Sequence, residues 1–169
     1  MPDPKTLERA EQDKRAGKAP STQAGEFVRE EIHHIREGKH GARSPQQAVA
    51  IGLSKARRAG IELKPPAPGR TSARTRRKAE QDYERGHAEG SSSRGSSRRS
   101  AASTRALERE PRESASRGSL SRQTQSAAAS RSKTQRSAAA RQASRTKGRA
   151  QRSAGAKKAA RTRSSRGRA

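Results

Sequence analysis

The chain contains no cysteine, no tryptophan, and only one phenylalanine and one tyrosine. The absence of cysteine excludes disulfide bonds and thiolate metal sites. With 26% hydrophobic residues, only a small part of the chain can form a hydrophobic core. No stretch approaches the roughly 18 consecutive apolar residues of a membrane span, and the N-terminus lacks the apolar region of a signal peptide. We therefore expect a cytoplasmic protein with no membrane partner.

Acidic residues are also missing from one end of the chain, since none follows Glu113. Residues 91–169 carry 22 basic and 3 acidic side chains, whereas residues 1–90 carry 19 and 13. Beyond Glu113, Leu120 is the only large apolar side chain. Such a segment cannot bury enough apolar surface to offset the entropy lost on ordering. We therefore expect a mostly disordered chain with a small all-α module and a disordered basic tail over 91–169.

The large aliphatic residues cluster in one stretch that is typical of a helical hairpin. Apolar residues from Ala24 to Ile35 recur at helical spacing. Glu31 lies within the same arc, where we expect it either to pair with a basic neighbour or to reach out along the edge. Ser44 and Pro45 are suited to a helix start, and Gly60 to a helix end. The pattern predicts two antiparallel helices at about 22–37 and 45–59.

Composition divides the chain into five segments. Marginal charged helices at about 7–16 and 72–85 flank the hairpin, and the hairpin is small enough that a homodimer or a stabilising partner is expected. The predicted segments are a charged N-terminal arm (1–20), the hairpin module (21–64), a Pro-rich spacer (65–71), a marginal charged helix (72–90) and the basic tail (91–169).

Two stretches of the hairpin carry a resemblance to known sequences. They are EFVREEIHHIREGKH (26–40) and SPQQAVAIGLSKARRAG (44–60). Together they resemble a family of small, basic bacterial proteins catalogued as a domain of unknown function, which implies a bacterial source and a compact helical module but no activity. The basic tail weakly resembles the tails of bacterial histone H1-like proteins, from which it differs by favouring Arg and Ser over Lys.

The basic residues after Glu113 predict binding to a polyanion. Arg can donate to two phosphate oxygens at once, and each cation that neutralises a phosphate releases a condensed counterion. A disordered tail has no fixed geometry with which to read base edges, and aromatic residues that stack on single strands are absent. The candidate residues are Arg117, Arg122, Arg131, Lys133, Arg136, Arg141, Arg145, Lys147, Arg149, Arg152, Lys157, Lys158, Arg161, Arg163, Arg166 and Arg168.

These features favour a non-specific DNA-binding, nucleoid-associated protein. An RNA-binding or ribosome-associated accessory protein is the alternative, because the same tail would bind RNA phosphates. A third possibility is a protein-interaction module whose tail only keeps it soluble.

The turn of the hairpin predicts a second phosphate site. It leads into the N-terminus of the second helix, where free backbone N–H groups and the helix dipole favour an anion. The candidate residues are Lys39, Arg43, Ser44, Lys55, Arg57 and Arg58. The linker of about six residues is longer than the three or four of a helix-turn-helix, which disfavours base-specific recognition.

The histidines His33, His34 and His40 do not predict a metal site. Adjacent histidines on one helix point about 100° apart, and no HExxH motif accompanies them. A phosphate-binding loop and a nucleophile elbow are also absent. We therefore expect no metal, no cofactor, no small-molecule substrate and no enzymatic activity.

Overall fold

In the computed structural model, which describes residues 2–88, 97–146 and 149–166, the regular secondary structure is entirely helical. The α-helices are α1 (Pro4–Arg15), α2 (Pro20–Arg36), α3 (Pro45–Arg58), α4 (Ala73–His87), α5 (Ser97–Glu108), α6 (Arg117–Ala129), α7 (Lys133–Thr146) and α8 (Arg149–Arg166), with one 3-10 turn at Glu113–Ala115. The distances between Cα atoms divide the chain into two compact units, Met1–Gln123 and Thr124–Ala169. The expectation of a mostly disordered chain is therefore wrong.

The two central helices confirm the predicted hairpin. Ser44 caps α3, its Oγ accepting from Gln47 N at 3.2 Å. Gly60 follows α3 with φ 81°, and Ile61 N donates back to Ala56 O at 3.2 Å. This left-handed glycine with a returning N–H is the helix end that the sequence predicted.

The core of the first unit consists of two small clusters. In one, Phe27 is fully buried among alanines of α1, α2 and α3, with three aliphatic side chains packed against it. In the other, Ile35 packs with alanines of the turn, α3 and the 3-10 turn. The first cluster comprises Ala10, Ala24, Phe27 and Ala56 with Leu53, Ile61 and Leu63 around it; the second comprises Ile35, Ala42, Ala48 and Ala115 with Ile32.

Two charged helices add to the hairpin. α1 starts at Pro4, three residues before the predicted start, and is capped by Asp3. α4 is capped by Ser72 and is held to α3 where Ser54 Oγ donates to Asp82 Oδ2 at 2.6 Å. The folded unit is therefore larger than the hairpin, so the small size that favoured a homodimer does not apply to it.

Residues 107–115, expected to be disordered, pack on the hairpin turn. Gly41 N donates to Leu107 O at 2.8 Å, and Ala42 N donates to Pro111 O at 3.0 Å. Arg36 Nε donates to Ala115 O at 2.9 Å, and the Ala115 side chain is fully buried. The association includes hydrogen bonds to backbone carbonyls, one buried methyl group and an ion pair between Arg43 and Glu110. Hydrophobic patterning detects none of these.

Most of the remaining tail residues that the structure describes are helical, for local reasons. Residues 91–96, 147–148 and 167–169, also expected to be disordered, lie outside the described residues. Ser132 Oγ accepts from Gln135 N and Gln135 Oε1 accepts from Ser132 N, both at 3.2 Å, which forms a capping box before α7. Ala, Arg, Lys and Gln, which are abundant here, have high intrinsic helix propensity. The prediction of disorder was wrong because it weighed only buried apolar surface, whereas these helices form with almost none.

Gly52 marks the closest approach of α2 and α3. A Cβ at this position would lie 2.6 Å from Val28 Cα. We expect Gly52→Ala to destabilise the fold by about 1–3 kcal/mol, because the cost of the clash outweighs the higher helix propensity of alanine. Urea denaturation followed by circular dichroism measures the difference.

Gly25 is the matched control for Gly52. It also lies inside a helix, α2, but a Cβ there would meet nothing within 4 Å. Gly25→Ala should therefore stabilise the protein by up to about 1 kcal/mol. Equal stabilisation by both substitutions would show that α2 and α3 do not approach at Gly52.

Candidate functional site

α8 presents a compact basic face. Ala154, Lys157, Lys158 and Arg161 line one shallow depression. Their spacing of three and four residues places them on one side of the helix, and their side chains are exposed. No acidic residue follows Glu113 in the sequence to neutralise them.

α7 and the segment before it carry further exposed cations. Lys133, Arg136, Arg141 and Arg145 are all exposed. Arg136 Nη1 donates to Arg131 O at 3.0 Å, a contact with a carbonyl and not with a carboxylate. Arg141 and Arg145, like Lys157 and Arg161, are like charges four residues apart, an arrangement that destabilises a helix unless an anion lies between them.

The remaining predicted tail residues are placed as follows. Arg117 and Arg122 lie exposed on α6, where Arg122 Nη2 donates to Ser119 Oγ at 3.2 Å. Arg163 Nε donates to Ala159 O at 3.4 Å. Arg149, Arg152 and Arg166 are described only as positions in α8, and Lys147 and Arg168 lie outside the described residues.

The predicted phosphate site at the hairpin turn is occupied by contacts within the protein. Ser44 already caps α3, and Arg43 N donates to Gln47 Oε1 at 2.7 Å. The Arg43 guanidinium pairs with Glu110 at 3.2 Å, and Lys39 pairs with Glu37 at 3.0 Å. That lysine also lowers the pKa of the exposed Glu37 carboxyl, first by hydrogen bonding and then by its charge.

The basic residues of α3 are likewise engaged. Lys55 Nζ lies 2.6 Å from Glu31 Oε2, so Glu31 does pair with a basic residue of a neighbouring helix. Arg57 is buried and donates to Leu63 O at 3.1 Å, and desolvation lowers the pKa of its guanidinium. Arg58 Nε lies 3.8 Å from Asp82. A phosphate would have to displace these contacts, so the hairpin offers fewer available cations than its composition suggests.

A polar cluster is buried where α2 meets the turn. Glu31 is 1% exposed, and its Oε1 lies 3.1 Å from His40 Nε2. The ligand atoms of Glu31, His34 and His40 all lie within 4.8 Å of one another. Glu30 lies beside them, with Oε1 4.0 Å from His34 Nε2 and 3.6 Å from Lys55 Nζ.

The two histidines of this cluster differ in their surroundings. His40 Nδ1 lies 3.0 Å from Gly41 O, a distance at which an Nδ1–H donates to that carbonyl. Burial lowers the pKa of His34, and the positive charges of Lys55 and Lys39 lower it further, against the opposing effect of Glu30 and Glu31. The pKa direction favours a neutral imidazole at His34.

Sequence reasoning missed this cluster because it compared the wrong histidines. His33 and His34 do diverge on the helix, as predicted, and His33 is exposed. His34 instead shares a face with Glu31, three residues earlier, and the turn returns His40 to the same place. The spacing of Glu31 and His34 was visible in the sequence, whereas the return of His40 depends on the conformation of the turn.

None of the described helices has an apolar stretch long enough to cross a membrane. Comparisons with models of protein families, with curated proteins and with solved structures found no match.

Proposed function

We propose that the protein is a non-specific DNA-binding, nucleoid-associated protein without enzymatic activity, in which α7 and α8 bind phosphates. The observation that carries the proposal is the face of α8 formed by Lys157, Lys158 and Arg161. These three side chains are exposed, share one side of a helix and have no acidic residue downstream of Glu113 to neutralise them.

A polyanion would relieve an electrostatic cost within these helices. Lys157 and Arg161 repel each other at a spacing of four residues, and so do Arg141 and Arg145. A phosphate between such cations removes the repulsion, and the released counterions add a favourable entropy that falls as salt rises. Binding should therefore be strongly dependent on salt concentration.

The chemistry of the basic helices favours backbone contacts over base recognition. Arg and Lys on an exposed helix face contact phosphates of any sequence. Regular phosphate spacing on duplex DNA suits cations repeated along a helix, whereas RNA recognition relies more on exposed bases and aromatic stacking. Since the chain has one Phe and one Tyr, DNA is the proposed partner.

A charge-matched pair of variants tests the proposal. Lys157→Gln, Lys158→Gln and Arg161→Gln together should reduce affinity for duplex DNA about tenfold or more at physiological salt. They should also make the negative slope of log K against log salt less steep by about 2.7. The control replaces three exposed cations of the first unit, Lys5, Arg70 and Arg74, with glutamine and removes the same charge. Fluorescence anisotropy at several salt concentrations gives both quantities.

The outcomes separate the proposed function from its rivals. Equal losses in the two triple variants would assign binding to net charge alone and contradict a role for the α8 face. Absence of DNA binding by the full-length protein near physiological salt would refute the DNA-binding function and leave the solubilising role for the tail. Tenfold tighter binding to structured RNA than to duplex DNA would replace it with an RNA-binding function.

A further inference from the structure

We propose that Glu31, His34 and His40 bind one divalent transition-metal ion, with Zn²⁺ as the best-fitting candidate, at the junction of α2 and the hairpin turn. This inference is independent of the proposed DNA-binding function, because no residue of the metal site lies in the basic tail. The site is carried by the convergence of two imidazoles and one carboxylate whose ligand atoms lie within 4.8 Å of one another.

The distances are close to those of a tetrahedral site. Zn²⁺ binds imidazole nitrogen and carboxylate oxygen at about 2.0–2.2 Å, which places two ligand atoms about 3.3 Å apart. His40 Nε2 and Glu31 Oε1 are already 3.1 Å apart. The distances from the His34 ligand atom to the other two are 4.8 Å at most. A small rotation of the His34 side chain would shorten them to the tetrahedral value.

The hydrogen bond of His40 orients it as a ligand. In the tautomer whose Nδ1–H donates to Gly41 O, at 3.0 Å, the lone pair of Nε2 faces Glu31. A metal-binding histidine commonly donates its other N–H to a carbonyl or carboxylate, which fixes the tautomer and the ring. A lone pair facing a carboxylate oxygen is repulsive unless a proton or a metal cation lies between them.

The carboxylate of Glu31 lacks hydrogen bonds. Both of its oxygens are buried without a hydrogen-bond partner, and so is Glu30 Oε1. Lys55 Nζ forms an ion pair with Glu31 Oε2 at 2.6 Å, whereas Oε1 faces His40 Nε2 at 3.1 Å. Buried carboxylate oxygens without donors are costly, and coordination of Oε1 would satisfy one of them.

Lys55 and Glu30 set the electrostatics around the ion. The positive charge of Lys55 opposes a second cation, whereas Glu30 lies 3.6 Å from Lys55 Nζ and can neutralise it. Two carboxylates against one lysine leave net negative charge for the metal. His34 and His40 have side chains 20% and 13% exposed, so an ion can reach the site from solvent.

The ligand set indicates which metal and which role. Two imidazoles and a carboxylate without thiolate suit Zn²⁺, with water or Glu30 as a fourth ligand. The site would join α2 to the turn, next to Gly41 and Ala42, whose N–H groups hold residues 107–115. Metal binding should therefore stabilise the turn and the segment docked on it.

The test uses the full-length protein with ZnCl₂ and no other ligand. Calorimetric titration should show saturable binding of one equivalent, and excess Zn²⁺ should raise the Tm by several degrees. Glu31→Gln, His34→Gln and His40→Gln should each weaken binding at least tenfold. His33→Gln is the matched control, because His33 is adjacent in sequence but exposed, and its affinity should equal that of the unsubstituted protein.

A second measurement does not depend on the folding of any variant. Co²⁺ added to the unsubstituted protein should give the ligand-field absorption of a four-coordinate site, and Zn²⁺ should abolish it. Absence of those bands together with non-saturable Zn²⁺ binding would overturn the proposal, as would equal loss of affinity in His33→Gln and His40→Gln. The cluster would then be a buried ion-pair network.

Discussion

Replacing Phe27 with alanine is expected to destabilise the first unit by about 3–5 kcal/mol, as for other buried phenylalanines. Phe27 is the only phenylalanine of the chain and is fully buried. The other buried members of its cluster are alanines, so the phenyl ring supplies most of the volume between α1, α2 and α3. Since small domains are stable by about 5–15 kcal/mol, this loss should remove a large part of the free energy of unfolding of the first unit.

Urea denaturation followed by circular dichroism measures this loss, with Leu7→Ala as the control. Leu7 is also a large apolar residue of the first unit, but it is 42% exposed, so its removal should change stability by about 0.5 kcal/mol or less. Similar midpoints for the two variants would mean that the three helices do not depend on a core centred on Phe27. Because α7 carries a local cap at Ser132, part of the helical signal should persist in Phe27→Ala.

The hairpin was predictable because its signals are local. The apolar spacing in α2, the Ser44 cap and the Gly60 stop each lie within one helix or at its end. The pairing of Glu31 also followed from the sequence, since a carboxylate inside an apolar arc requires a cation. Its partner, Lys55, was not predictable. The apolar periodicity places Lys55 on the polar face of α3, yet its side chain reaches the carboxylate.

Two features were not predictable from apolar patterning. Ala115 is buried in a segment that composition assigned to the tail, and its carbonyl accepts from the Arg36 side chain. The carbonyls of Leu107 and Pro111 in the same segment accept from the backbone of the hairpin turn. The helices beyond it form through propensity and capping, as at Ser132, and bury little. Composition measures how much apolar surface a segment can bury. It does not show whether the backbone N–H and C=O groups of the segment find hydrogen-bond partners locally or in a distant loop.

The candidate phosphate-binding residues also differ in how far the sequence could identify them. The tail cations were identified from composition alone, and the helices add their grouping on faces such as that of Lys157 and Arg161. The hairpin cations were chosen for their place near the turn and on the helix that follows it, but Lys55 and Arg57 are engaged inside the protein. A basic residue near acidic residues in a folded unit is therefore weaker evidence for phosphate binding than one in a segment without acids.

Lys55→Met is expected to destabilise the first unit by about 3–5 kcal/mol, the usual effect of removing one partner of a buried ion pair. Lys55 is the cation nearest to both Glu30 and Glu31, whose side chains are 4% and 1% exposed. Methionine keeps most of the side-chain length and the helix propensity. The stability lost therefore measures the cost of leaving the two buried carboxylates without their cation. Thermal and urea denaturation without added metal measure it.

Lys78→Met is the matched control for Lys55→Met. Lys78 also pairs with a buried carboxylate, Asp82, at 3.3 Å, but Lys78 is 58% exposed and Asp82 retains the hydrogen bond from Ser54. Its loss should cost about 1 kcal/mol or less. Adding Glu31→Gln to Lys55→Met should recover part of the stability, because it removes one of the uncompensated charges. If Lys55→Met instead behaves like Lys78→Met, the carboxylates of α2 are solvated and the cluster holds no buried charge that a metal ion could neutralise.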